Sequence, residues 1–105
     1  MTEVPVQGEI WWAEAQDQRR PVLVVTRSDA LPVLTTVLVA PVTRTVRSIP
    51  TEVPLGPRHG LPVDCCATFD NLQPIRRALL TERVGRLDVD ELDQICQALR
   101  SMADC

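Results

Sequence analysis

Two polar residues at the ends of apolar, strand-like segments are the strongest candidates for chemistry in this 105-residue chain. Arg20 precedes Pro21, and proline restricts the residue before it to an extended backbone, so its guanidinium is expected to be held at the mouth of a strand. Thr43 ends an apolar run, where its hydroxyl could donate to a phosphate oxygen. Plainer interpretations stay open: Arg20 as a surface arginine paired with Glu14 or Asp17, and Thr43 as a β-former that caps a turn.

The charged residues favour a local anion site over bulk attraction to nucleic acid. The chain has 11 arginines, no lysine and 14 acidic residues, for a net charge of -3. A protein that held nucleic acid by overall charge alone would be basic. The arginines nevertheless cluster in predicted loops, at Arg19 and Arg20, at Arg44 and Arg47, and at Arg76 and Arg77. If these loops meet at one end of the fold, they form an anion-binding rim.

The rarer residues exclude several classes of function. His59 is the single histidine, so one chain cannot supply the paired imidazoles of many metal-free ribonucleases. Phe69, Trp11 and Trp12 are the only aromatic residues, too few for a base-stacking platform. The cysteines contain no C-x-x-C pair, and we expect no metal and no cofactor. The start lacks the pattern of an export signal and no run is long enough to span a bilayer, so we expect a cytoplasmic protein without membrane contact.

The elements that must position these residues begin with a β-rich part. All nine prolines lie between residues 5 and 74, and short apolar runs typical of strands occur between them. No helical crossover separates the runs, so they predict one all-β barrel or sandwich and a single domain over residues 1–105. The predicted strands are 9–13, 22–27, 36–42, 51–55 and 65–70.

The last part of the chain predicts a helix. Asp88 and Glu91 form a capping pattern at its start. Apolar residues at spacings of three and four then predict a stripe that packs on the barrel or on a partner. These residues are Leu92, Ile95, Cys96, Leu99 and Met102. A second, shorter helix is predicted for residues 76–81, because Pro74 can open a helical turn.

Other conspicuous residues are predicted to be structural. Trp11 and Trp12 should face opposite sides of the first strand, with one of them in the core. His59 lies in a loop rich in glycine and proline and is expected to be exposed. The cysteines are expected to stay reduced, three as small apolar residues of the interior and one as a free terminal thiol, namely Cys65, Cys66 and Cys96, and Cys105.

Six segments, taken in their order, carry a family resemblance. They are GEIWWAE, RRPVLVVTR, APVT, PTEVPL, GLPVDCCATFDNLQPIRR and VGRLDVDELDQICQAL. In this order they resemble the MazF/PemK endoribonuclease toxins of bacterial toxin–antitoxin systems. The resemblance implies a mainly β fold with some helix: a small SH3-like barrel of the CcdB/PemK type with a C-terminal helix, assembled as a homodimer.

The resemblance also implies a reaction. It is sequence-selective, metal-independent cleavage of single-stranded RNA, in which the ribose 2′-hydroxyl attacks the neighbouring phosphate and leaves a cyclic phosphate and a free hydroxyl. Such cleavage would inhibit translation and growth until a cognate antitoxin protein neutralised it. By position, the family arginine before the proline is Arg20 and the threonine that ends the third strand is Thr43. Both would stabilise the negative charge that builds on phosphorus, and proton transfer by Arg20 stays an open hypothesis.

The loops are expected to choose the RNA. The candidate loops cover residues 16–19 and 44–48, together with the segment before the predicted short helix. The residues expected to contact RNA are Gln18, Arg19, Arg44, Thr45, Arg47 and Asn71. Residues 70–73 read DNLQ, which departs from the acid, glutamine, apolar, basic order common in the family.

Three other classes of protein are weighed against this one. A gyrase-poisoning toxin of the CcdB type would share the fold and the dimer, but residues 98–105 lack the tryptophan and glycine expected at the end of its helix. A non-catalytic SH3-like binding module would display an aromatic groove, which three rings do not easily build. A metal-dependent nuclease needs carboxylates at the strand ends of an α/β sheet, whereas the acids of residues 88–93 are placed to cap a helix.

Overall fold

Short runs rich in valine, leucine and isoleucine form most strands of the computed structural model, which describes residues 4–15 and 18–103. The strands in that part of the chain are β1 (Glu9–Ala15), β2 (Gln18–Val24), β3 (Thr36–Thr43), β4 (Glu52–Leu55), β5 (Cys65–Thr68), β6 (Gln73–Arg76) and β7 (Leu80–Arg86). The α-helix is α1 (Asp93–Ser101). Single 3-10 turns occupy Pro57–His59, Phe69–Asn71, Arg77–Leu79 and Val89–Glu91.

The strands form one curled antiparallel sheet in the order β4-β5-β3-β2-β1-β7, with β6 paired to β3. One edge of β3 pairs with β2. Its other edge pairs with β6 in the first half of the strand and with β5 in the last two residues, where Thr43 lies opposite Cys66. Because β3 is shared in this way, the sheet curls into a half-barrel. The helix α1 follows it at the C-terminal side, as the family resemblance implies.

Both faces of the central strands are buried, which explains their continuous apolar sequences. Successive side chains on a strand point to opposite faces. On β2, Leu23 therefore joins a core that includes Phe69 and the helix residue Ile95. Its neighbours Val22 and Val24 join a second core that includes Trp11. Trp11 is buried and Trp12 is half-buried, so the predicted division of this pair is confirmed.

Two strands were not predicted, and the helix predicted for residues 76–81 is wrong. A 3-10 turn, Arg77–Leu79, joins β6 to β7 there. The sequence of β7 lacks the regular alternation of apolar and polar residues that marks a strand. It is nevertheless a strand, because it pairs with β1 along its length, with Glu82 opposite Trp12. Long-range pairing has therefore overridden the local helical signal.

The C-terminal helix is confirmed, with a narrower buried stripe than predicted. Ile95 and Ala98 are buried and Leu92 is half-buried against the same core. Part of the predicted stripe is exposed, namely Cys96, Leu99 and Met102. The prediction of a buried Cys96 is therefore wrong, whereas Cys65 and Cys66 are buried free thiols as predicted. In the part of the chain that the structure describes, no helix is long and apolar enough to cross a membrane.

His59 is buried, so the prediction of an exposed side chain is wrong. Its Nδ1 accepts the Gly56 amide at 3.1 Å, and its Nε2 lies 3.1 Å from each carboxylate oxygen of Glu91. Glu91 also pairs with Arg58 and accepts the Asp88 amide at 2.9 Å. Burial opposes ionisation of Glu91, but the hydrogen bonds from Asp88, His59 and Arg58 outweigh it and lower the pKa of Glu91 to about 2. This ion pair ties the start of the helical segment to the loop after β4.

Candidate active site

A groove of about 650 Å³ opens where β2 runs on beyond its pairing with β3. The strand pair β2–β3 covers only Val22 to Val24, so Arg20 lies in a part of β2 that pairs with β1 alone, opposite Ala13. The groove is lined by apolar and polar residues without an acid among those described: Ala13, Gln18, Arg20, Val22, Pro41, Gln73, Pro74, Ile75, Arg76 and Leu79.

Arg20 is the first candidate that the structure places in this groove. Its side chain is exposed, and it forms no hydrogen bond or ion pair with any residue in 4–15 or 18–103. The alternative pairing with Glu14 is therefore absent, and Asp17 lies outside the described residues. Pro21 continues the strand opposite Trp12, so the backbone of Arg20 is extended as predicted. A guanidinium that has no partner among the described residues, in a groove whose described lining contains no acid, is available to an anionic ligand.

Arg76 supplies a second cation to the groove. It ends β6, opposite Thr36, and its side chain is exposed. Gln73, at the other end of β6, also lines the groove. Neither was among the predicted RNA-contacting residues, although Arg76 was part of the predicted arginine rim, because the sequence analysis predicted no strand over residues 73–76. The dipeptide of Gln73 and Pro74 was the available signal, since proline within a short run marks an edge strand.

Thr43 lies on the same face of the sheet as Arg20. Val22 is opposite Pro41, so these two side chains share a face. Arg20 lies two residues before Val22 and Thr43 two residues after Pro41, which in an antiparallel pair is the same direction, so both lie on that face. Thr43 is half-buried and is not among the residues that line the groove, which include Pro41. Its Oγ1 accepts the Thr45 amide at 3.1 Å, which leaves the hydroxyl proton free for a further acceptor.

The loop after Thr43 carries three of the predicted RNA-contacting residues. Arg44, Thr45 and Arg47 are all exposed. Neither guanidinium forms an ion pair or hydrogen bond with any residue that the structure describes. The backbone amides of Arg47 and Ser48 donate to Glu52 Oε1 at 2.9 and 3.0 Å. The loop is thus held by its backbone while its cationic side chains stay available.

The other predicted contacts divide between the two faces of β2. Gln18 lines the groove, two residues before Arg20. Arg19 points to the opposite face, where its guanidinium lies 4.7 Å from the Trp12 ring centroid and 2.6 Å from Glu82. The predicted loop residues 16 and 17 lie outside the described part of the chain.

Asn71, a predicted RNA contact, and Arg77, a member of the predicted arginine rim, lie outside the groove. Asn71 is exposed in the turn before β6 and does not line the groove. Arg77 does not extend the rim, because its side chain donates to the Leu31 carbonyl.

Acidic residues are arranged differently from those of a metal centre. Within residues 4–15 and 18–103, no group of three His, Cys, Asp or Glu side chains is placed to hold a metal ion. The groove and the loop after Thr43 therefore give this small β half-barrel a cationic ligand site, without an acid among the described lining residues, that is chemically suited to a phosphate-bearing chain.

Comparison with known proteins identifies the family. The model of the PemK-like, MazF-like toxins of type II toxin–antitoxin systems matches residues 6–103. The chain is 40% identical to the probable endoribonuclease MazF5 of Mycobacterium tuberculosis over 107 residues, covering 100% of this chain and 98% of that protein. The chain therefore belongs to the PemK and MazF toxin family, as the sequence resemblance predicts, and the CcdB-type alternative is not favoured.

Solved structures agree with this assignment. The Mycobacterium tuberculosis toxin MazF-mt6 superposes with a TM-score of 0.82 at 36% identity, covering 89% of this chain and 93% of that one. A mycobacterial endoribonuclease in complex with its cognate antitoxin superposes with a TM-score of 0.79 at 24% identity, covering 92% of each chain. The second likeness supports the fold alone.

Proposed function

We propose that this toxin cleaves single-stranded RNA at the groove, with Arg20 and Thr43 as its catalytic residues. The protein is a toxin endoribonuclease of the PemK and MazF family. The observation that carries the assignment to the groove is the Arg20 guanidinium, which has no hydrogen-bond or ion-pair partner among the described residues and shares a sheet face with Thr43. It shares the groove with Arg76, and no acid occurs among the groove's described lining residues. Gln18 and Arg76 would contact RNA within the groove, and Arg44, Thr45 and Arg47 would contact it beside the groove.

The proposed reaction is attack of a ribose 2′-hydroxyl on the adjacent phosphorus. The bond from O2′ to phosphorus forms, the bond from phosphorus to O5′ breaks, and the products are a 2′,3′-cyclic phosphate and a free 5′-hydroxyl. Negative charge builds on the phosphoryl oxygens, where Arg20 offers a planar guanidinium and Thr43 offers its hydroxyl proton. Guanidinium groups stay protonated under physiological conditions, so Arg20 acts by charge stabilisation, and solvent carries the proton from O2′ and the proton to O5′.

The partners follow from the family and from the charge of the site. A cognate antitoxin, with an acidic segment laid over the exposed arginines, would block RNA access and inhibit the toxin. A homodimer is the proposed assembly, and bacterial RNA places its action in the cytoplasm, where cleavage would stop translation and growth. These assignments rest on membership of a toxin–antitoxin family.

The test compares Arg20 with an arginine outside the groove. Arg20→Ala is expected to slow single-turnover cleavage of a single-stranded RNA by about 100- to 1000-fold, as for loss of one oxyanion donor. Arg20→Lys keeps the charge but loses the planar, two-pronged geometry, so it should recover only part of the rate. The matched control is Arg27→Ala, since Arg27 is also exposed and pairs with Asp29 at 3.2 Å.

Substrate variants complete the test. A single 2′-deoxy substitution at the cut nucleotide should abolish cleavage there, and mapped ends should carry the cyclic phosphate. Full activity of Arg20→Ala, or equal cleavage of the 2′-deoxy substrate, would refute the proposed chemistry.

A further inference from the structure

The segment after β3 is a loop whose backbone is fixed and whose side chains are exposed. We name residues 44–51 the arginine loop, for Arg44 and Arg47. It has no regular secondary structure, and seven of its eight side chains, all except Thr51, are exposed. An exposed loop of this kind is ordinarily mobile unless its backbone groups find partners. Here several of them have partners in the adjacent strands.

Glu52 is the main anchor of the arginine loop. It is the first residue of β4, lies opposite Thr68 and is half-buried. Its Oε1 accepts the amides of both Arg47 and Ser48, at 2.9 and 3.0 Å. A carboxylate that accepts two amides forms charge-assisted hydrogen bonds, which are stronger than neutral ones. The loop is therefore fixed at its centre, Arg47 and Ser48.

The backbone of Ser48 shows that the loop has a specified shape. Its φ is +56°, in the left-handed region that residues other than glycine seldom adopt. Such a conformation persists only where surrounding contacts enforce it. The hydrogen bond from the Ser48 amide to Glu52 is one contact that holds this turn, and the Glu52 amide also donates to the Ile49 carbonyl at 3.0 Å.

A second anchor lies at the start of the loop. The Thr45 amide donates to Thr43 Oγ1, and the Thr45 carbonyl lies 3.7 Å from the Cys66 sulfur, which donates to it. Burial, and then the nearby Glu52 carboxylate, raise the pKa of the Cys66 thiol to about 11, so it stays a donor. The catalytic candidate Thr43 is thus directly joined to the loop that Glu52 holds.

The guanidinium groups of Arg44 and Arg47 stay available to a ligand, because Glu52 binds the backbone of the loop and not its side chains. Glu52 binds the backbone amide of Arg47, and no ion pair joins it to either loop guanidinium among the residues described. An acid that held the guanidinium itself would have cancelled the cationic surface. Glu52 thus shapes the loop without neutralising its charge.

We propose that Glu52 is a specificity-determining positioning residue, which sets the shape in which the arginine loop meets the RNA nucleotides beside the cleaved linkage. This rests on the proposed function. When the loop has a fixed shape, its hydrogen-bond donors bind well only to RNA whose bases and phosphates lie opposite them. When the loop is not held, its arginines still attract any phosphate by charge, whatever the sequence. Loss of Glu52 should therefore relax the choice of sequence more than it slows cleavage.

The experiment measures cut-site preference on a pool of single-stranded RNA with randomised sequence. Glu52→Ala should reduce the ratio of kcat/KM between the preferred motif and its best single-base variants by about tenfold, the order expected for loss of a charge-assisted hydrogen bond. Glu52→Gln keeps an acceptor oxygen for the two amides and should retain most of the preference. The matched control is Glu82→Ala, an exposed acid that pairs with Arg19 away from the loop.

A second variant keeps the proposal testable if Glu52→Ala fails to fold. Ser48→Val leaves Glu52 and the core intact but disfavours the positive φ, so it should relax the preference similarly, whereas Ser48→Gly should retain it. An unchanged preference in Glu52→Ala, or in Ser48→Val, would overturn the role of Glu52. Failure of the wild-type protein to cut the pool would instead refute the proposed function, so the two failures are distinguishable.

Discussion

Arginines in two regions of the molecule are placed in opposite surroundings. At the junction with the helical segment, Arg58 pairs with Glu91, which His59 also contacts, and every partner is supplied by the protein itself. In the groove, Arg20 and Arg76 share a site lined without acid among the residues described. A satisfied charge holds elements together, whereas an unsatisfied one is available to a ligand. The first region should therefore control stability and the second activity.

The largest effect that tests this comparison is expected for Glu91→Ala. It leaves buried His59 and the Asp88 amide without their acceptor, which should lower the free energy of unfolding by about 2 to 3 kcal/mol. Chemical denaturation measures this change, while the cleavage rate per folded molecule should stay at the wild-type value. A stable Glu91→Ala with a large loss of rate would reverse the assignment of the two regions.

Lowering the pH should remove the contribution of the Arg58–Glu91 ion pair to the stability of the wild-type protein. The pKa of Glu91 is lowered from 4.5 to about 2, so the folded state binds its proton less readily than the unfolded state does. Its contribution to stability is therefore complete above about pH 4.5 and is lost as the pH falls towards about 2. Urea unfolding from pH 6 to pH 3 measures this loss, and Glu91→Gln should flatten that part of the profile. An equal slope in both proteins would contradict the assignment.

Arg76→Ala sharpens the comparison on the groove side. Loss of one phosphate contact should weaken RNA binding by about fivefold and reduce the slope of log affinity against log salt by about 0.7. Anisotropy with a 2′-deoxy oligonucleotide, which binds without being cut, measures both quantities. Arg100→Ala, on the exposed side of the helix, is the matched control and should leave the slope unchanged. An unaltered slope in Arg76→Ala would remove this residue from the site.

The sequence predicted the parts of the fold that depend on local pattern. Apolar runs identify β2 and β3, and Asp88 with Glu91 marks the start of the helical segment, where the Asp88 amide does donate to Glu91. The extended backbone of Arg20 follows from the proline after it. Such features need only neighbours along the chain, so one sequence contains enough information to infer them.

The features that sequence analysis missed depend on residues far apart in the chain. His59 appeared exposed from its loop, but its partner Glu91 lies 32 residues later. The strand that carries Arg76 is defined by pairing with β3, and no local apolar pattern marks it. The roles of Arg20 and Thr43 came from family resemblance, and they remain predictions that the proposed variants test.

The smallest predicted effect concerns Arg19, the neighbour of Arg20 on the opposite face of β2. Its place at the end of the loop between the first two strands predicted an RNA contact for Arg19, but its guanidinium stacks on Trp12 and pairs with Glu82. Arg19→Ala should change cleavage by less than about twofold and lower the free energy of unfolding by about 0.5 to 1 kcal/mol. The same kinetic and denaturation assays used for Arg20→Ala measure both. A tenfold loss of cleavage would show that Arg19 leaves Trp12 to reach the RNA, and would extend the ligand site to both faces of β2.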